Sequence, residues 1–113
     1  MIIYHLARKA AWEQAERAGA YTGTPEDLAD GFMHFSTAAQ VAESAAKHRA
    51  GETDLILIGA EGDELGAALK WEESRGGQLF PHLYADLPLS AVKMAIPLEL
   101  GPHGLHLFPD LTD

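Results

Sequence analysis

The chain contains no cysteine, which removes disulfides, thiol nucleophiles, iron–sulfur ligation and Cys-type zinc sites together. That composition fits a reducing compartment. Basic residues are scarce: eight Lys and Arg stand against 17 Asp and Glu, giving a formal net charge of −9. Phosphate backbones are bound by clustered Lys and Arg that release counterions, whereas here the basic residues are scattered from Arg8 to Lys93. Non-specific nucleic-acid binding and anionic-membrane binding are therefore not expected. Long apolar runs are missing too, and Leu55 to Ile58 is far too short to cross a bilayer. Residue 1 leads directly into a strand-like stretch with no signal-peptide pattern, so the expected location is the cytoplasm. Nor is there a P-loop, a dinucleotide-binding glycine fingerprint, a zinc-protease helix, a nucleophile elbow or an EF-hand loop.

What is present is a single domain's worth of sequence: 113 residues, 47% of them hydrophobic, long enough to bury a core without metal or disulfides. Ile2 to Leu6 reads as a strand with both faces largely apolar. Arg8 to Ala18 reads as a helix with Trp12 on its apolar side, stopped by Gly19. Thr24, Pro25 and Asp27 spell the start of a second, short helix with a capping box, ending at Gly31. Phe32 to Ser36 is strand-like, and Thr37 with Gln40 signals a helix through about Arg49. Leu55 to Ile58 lacks polar alternation and reads as a central strand covered on both sides. Leu69 to Glu72, Phe80 to Tyr84 and Val92 to Leu98 complete the strands. Leu55, Leu57, Leu69 and Trp71 are expected in the core, with Trp12 packing the first helix onto the sheet.

The order begins with helices and ends in strands. It predicts an α+β fold, a small curved, mostly antiparallel sheet with two to three helices. Residues 1–100 form the expected domain, and residues 101–113, with Gly101, Pro102, Gly104 and Pro109, an irregular C-terminal tail.

The chemistry gathers on histidines. His5, His34 and His82 each lie in the middle of a strand-like stretch. Strand alternation puts Phe32, His34 and Ser36 on one face, and Phe80, His82 and Tyr84 on one face. Two such faces predict the wall of a cleft for a planar ligand, with His5 as a third contributor. A single strand histidine is more often a satisfied structural residue than a catalyst, so the weight lies on the three together. No close pair of histidines has helical spacing, and no metal site is assigned. Ser36, on the same strand face as His34, stays open as a nucleophile with His34 as its base, while Thr37 is better explained by capping. Lys70 and Glu72 share a strand face. Either they form a salt bridge covering a sheet edge, or Glu72 is the carboxylate that hydrogen-bonds a ribose; Asp86 is a lesser option.

The motifs Ile3-Tyr4-His5-Leu6, Gly31-Phe32-Met33-His34-Phe35-Ser36-Thr37, Leu69-Lys70-Trp71-Glu72 and Phe80-Pro81-His82-Leu83-Tyr84, with Leu87-Pro88-Leu89 and Ala91-Val92, resemble the small bacterial domain-of-unknown-function family 952. The resemblance spans roughly residues 2–98 in order. Through fold-level similarity it implies an ADP-ribosyltransferase-like fold. There a first-strand histidine, matched by His5, contacts the ribose of NAD, and a second strand, matched by Gly31 to Ser36, lines the nicotinamide with His34 in place of a tyrosine. The third position, a glutamate in many transferases, has no secure counterpart; His82, Tyr84 and Glu72 all remain open for it. The resemblance thus implies an enzyme using NAD or a related nucleotide as substrate, with no resident cofactor assigned. His5, His34 and His82 would be catalytic, and Phe32, Ser36, Glu72, Phe80 and Tyr84 would bind ligand. The alternative from another class is a non-catalytic small-ligand or nucleotide-binding domain on the same cleft; a third is an interaction module.

Overall fold

The computed structural model describes residues 1–112, with Arg75 described by its backbone alone. The fold is α+β with three α-helices among the described residues. Strand β1 (Ile2–Arg8) leads into α1 (Lys9–Ala18), β2 (Ala20–Tyr21), α2 (Pro25–Asp30), β3 (Met33–His34) and α3 (Val41–His48). Then follow β4 (Leu55–Glu61), β5 (Leu69–Glu73), β6 (Leu79–Leu83), β7 (Leu87–Pro88) and β8 (Val92–Leu98).

The expectation of one small curved sheet is overturned. Among the described residues all pairings are antiparallel, but the strands divide among three separate sheets, β1-β4-β8, β2-β7 and β3-β6-β5, and none curls or closes. The break lies where Phe32 to Ser36 was expected to run as one strand. Only Met33 and His34 form β3. Phe35 N–H still donates to Pro81 O, but Ser36 crosses to exchange backbone hydrogen bonds with Tyr4 of β1, both 2.8 Å. The chain turns a corner between two sheets there, and that corner builds the site.

Central strand β4 explains its own sequence. Its alternate residues Ile56, Ile58 and Ala60, with Ile3 and Ala7 of β1, join Trp12, Tyr21, Phe35 and Leu83 in one core cluster. Leu55 and Leu57, with Tyr4 and Leu6, join Val41 and Ala45 of α3 on the other face. Helices thus cover both faces, so the run has no polar alternation. A register shift at Gly59/Ala60 opposite Val92 and Met94 lets Val92 pack on the first cluster and Met94 on the second.

Trp12 is buried and packs edge-on against Tyr21 at 5.8 Å, fastening α1 to the first cluster. Helix α1 stops at Gly19, whose φ of 89° is open to glycine at little cost. Helix α2 carries the full capping box between Thr24 and Asp27. At α3 the Thr37 N–H donates to Gln40 Oε1 (3.0 Å), and the helix itself begins after a turn at Val41.

Trp71 departs from expectation. It is 41% exposed because β5 is an edge strand whose outer face lacks a covering layer, and Leu69 is only partly buried. Beyond residue 100 the chain folds back: Leu100 bridges His106, and Phe108 and Leu111 pack on the second cluster. Tyr4 Oη–H donates to the Thr112 carbonyl. The last residue of the expected 101–113 tail lies outside the described residues. Among the described residues, no helix is long and apolar enough to cross a membrane.

Candidate functional site

His5 projects from the middle of β1 into the first core cluster, 4% exposed, between the rings of Tyr21 (5.2 Å) and Phe35 (5.3 Å). A carbonyl only accepts, so Nδ1–H donates to His34 O at 2.7 Å. That fixes Nε2 as the acceptor, and Tyr21 Oη–H donates to it at 2.9 Å. Burial pushes the His5 pKa down, outweighing the pull of Asp27, whose Oδ2 lies 3.8 Å away. His5 is therefore a neutral imidazole with both nitrogens engaged. Burial likewise pushes the Tyr21 phenol up.

Asp27 is the hub. As the third helical residue of α2 it takes the Thr24 N–H on Oδ2 (2.8 Å), which is the capping box. Its other oxygen takes both the His34 backbone N–H (3.1 Å) and the ring Nδ1–H (2.5 Å). Burial alone would raise this carboxyl, but the His34 hydrogen bond, the nearby His5 and the backbone donors together hold it down at about 2. His34 in turn is raised, first by the Asp27 hydrogen bond and further by Asp30, whose Oδ2 is 3.1 Å from Nε2. His34 is thus held between two carboxylates while its ring stays 41% exposed.

The third histidine stands opposite the second, since His34 and His82 are register partners on β3 and β6. Their rings lie 5.6 Å apart. Phe32 stacks on His82 at 4.2 Å and 27° and lies 4.6 Å from His34 and 5.3 Å from Tyr84. His82 Nδ1–H donates to Glu72 Oε1 (2.9 Å), and Tyr84 Oη–H donates to the same oxygen (2.6 Å). The Tyr84 hydroxyl first and His82 second hold Glu72 below the usual carboxylate range, while Glu72 pushes Tyr84 up. Lys70 Nζ sits 5.5 Å from the Tyr84 ring centroid. Lys70 and Glu72 are therefore not simply paired with each other across a sheet edge.

A cavity of about 430 Å³ opens between β1, α2, α3 and the β3-β6-β5 sheet. His5, His34 and His82 all line it, as do Ser36 and Phe80. Ser36 is nearly buried and its Oγ–H donates to Ser44 Oγ at 3.2 Å. Phe32, Glu72 and Tyr84 do not line the cavity; they form the aromatic and acidic cluster behind His82. Among the described residues, no group of three or more His, Asp or Glu is placed to hold a metal ion.

Sequence reasoning missed Tyr21, Asp30 and the larger role of Asp27. The capping box accounted for one Asp27 oxygen, and a carboxylate has two. The spare oxygen was the available signal, but its partner seven residues on is set only by the turn at Gly31 (φ 86°).

The model of the family described as "Protein of unknown function (DUF952)" matches residues 6–95. The crystal structure of protein CC0527 from Caulobacter crescentus is 42% identical, with 95% of this chain and 94% of that chain covered and a TM-score of 0.92. The solution NMR structure of CC0527 is 43% identical over 92% and 90% of the two chains, with a TM-score of 0.82. No curated protein matches. These likenesses lend no support to the ADP-ribosyltransferase-like fold that the resemblance implied.

Proposed function

This chain belongs to the DUF952 family, and we propose that it is a non-catalytic domain that binds a small molecule or nucleotide in the histidine-lined cavity. The observation that carries this reading is the convergence of His5, His34 and His82, from three separate strands, on one cavity of about 430 Å³. That volume falls in the range of small-ligand sites, and the lining sets the apolar Leu6, Phe35, Val41 and Phe80 among a majority of polar and charged side chains.

A transferase acting on NAD through all three histidines is supported less well. Proton transfer needs a ring nitrogen within reach of the substrate. Both nitrogens of His5 are engaged with His34 O and Tyr21, and both of His34 face Asp27 and Asp30. Their role in this reading is to hold the corner between two sheets in shape. Ser36, Phe80 and His82 would meet the ligand. Phe32, Glu72 and Tyr84 would back His82.

The test is a titration followed by amide chemical shifts, using nicotinamide, adenosine, AMP and NAD as probes. Binding supports the proposal when the largest shifts map to Ser36, Phe80 and His82. Shifts confined to surfaces away from the cavity overturn it.

A further inference from the structure

Four histidines line the cavity, His5, His34, His48 and His82, and His82 differs from His5 and His34 in one respect. Its side chain is only 7% exposed and its Nδ1–H is committed to Glu72, yet no hydrogen bond reaches its Nε2 among the described residues. Nor is Nε2 sealed off as an orphaned buried atom. Phe32 covers one face of the ring and His82 lines the cavity, which offers a partner for Nε2 a route in. A carboxylate accepts only, so Nδ1 carries a proton, and in the neutral form of the ring the lone pair is then at Nε2. Tyr84 donates to the same Glu72 oxygen and thereby orients the carboxylate, as outer partners orient histidines elsewhere.

We infer that the ligand is a planar molecule that donates an N–H or O–H to Nε2 of His82, with Glu72, braced by Tyr84, as the positioning residue that keeps this nitrogen an acceptor. The planar body is set by the aromatic lining, Phe80 and Phe35 among it. His5 and His34 have no comparable atom to offer. The inference rests on the binding reading above, but its first test needs no ligand.

Long-range nitrogen NMR of the ligand-free protein reads the ring tautomer directly. Neutral His82 is expected as the Nδ1–H form, the reverse of what a free histidine side chain prefers. Glu72→Ala, a partly buried edge-strand change, should move the tautomer ratio toward Nε2–H by about tenfold, the equivalent of one charge-assisted hydrogen bond, and Tyr84→Phe, which removes only the brace, should move it the same way by less. A dominant Nε2–H form in the wild type, or a ratio unmoved by Glu72→Ala, overturns the relay. Diethyl pyrocarbonate, which acylates an accessible imidazole lone pair, should modify His82 ahead of His5 and His34 in the folded protein. Equal rates among the three contradict it. Benzamide and methyl benzoate then test the ligand class, because they share a planar ring and only the amide has an N–H. Benzamide should perturb Nε2 of His82 and the ester should not. Equal perturbation by both, or none at His82, refutes the donor requirement even if the cavity binds other probes.

Discussion

Replacing Asp27 by asparagine removes one charge from the hub while keeping its size. In the wild type the carboxyl is held at about 2 against an ordinary 3.8. A depressed folded-state pKa means that its stabilisation is present above the unfolded value and is lost as pH falls toward about 2. Converted by linkage, that difference is about 2–3 kcal/mol at neutral pH. Geometry adds to it. Asp27 accepts from the Thr24 N–H, the His34 N–H and the His34 Nδ1–H, and an asparagine has one oxygen for all three. One side of the amide must face a donor with a donor, or the His34 ring must give up its proton. The expected loss for Asp27→Asn is therefore about 2–4 kcal/mol at neutral pH. Urea denaturation at a series of pH values measures it, with two signatures beyond the magnitude. The decline in stability between about pH 4 and 2 should shrink, and the His34 titration should fall back toward an ordinary imidazole because its largest raising partner is gone. A neutral-pH loss under about 0.5 kcal/mol, or an unmoved His34, would refute the assignment of Asp27 as hub.

His5 is buried neutral, so the unfolded chain binds a proton that the folded one does not. Stability should fall as pH drops below about 6.5, and a flat profile from 7 to 5 by the same denaturation series would contradict this. His34 acts in the opposite sense: its raised pKa gives stability that is complete below about 6.5 and lost as pH rises through its folded value. Tyr21→Phe removes the donor to His5 Nε2 and leaves a buried acceptor unpaired, for an expected cost of about 1–3 kcal/mol and a more alkaline His5 profile. Trp12→Ala should cost about 3–5 kcal/mol, whereas Trp71→Ala should cost under about 1 kcal/mol; thermal melts rank the two, and the reverse order would refute the packing described.

The elements whose signals are local were legible. Thr24-Pro25-Asp27 and the glycines at 19 and 31 give α2 and the end of α1 without tertiary information, and the apolar run at Leu55 gives the covered central strand. Periodicity also put His34 and Ser36 on one face, and Phe80 and His82 on one face, of their stretches. It failed on Trp71, because the alternation of Leu69 and Trp71 with charged residues shows which side is apolar but not whether another layer covers it. It failed again at Phe35, where a strand-like pattern hides a change of sheet. Alternation is the same whether a strand keeps one partner or trades β6 for β1. The hydrogen-bond economy of the site was hidden for a similar reason. Asp27, Tyr21 and Asp30 come together only once the α2–β3 turn closes, and no spacing rule joins Tyr21 to His5 across α1.

Whether the cavity among His5, His34 and His82 takes the ligand is read from a crystal structure of the protein soaked with the tightest-binding probe from the titration. The molecule should lodge between Phe80 and Ser36 with a donor atom at hydrogen-bonding distance from His82 Nε2. An empty cavity with the molecule seated instead in the shallow hollow of Met1, Ile3, Leu69 and Trp71 would contradict it.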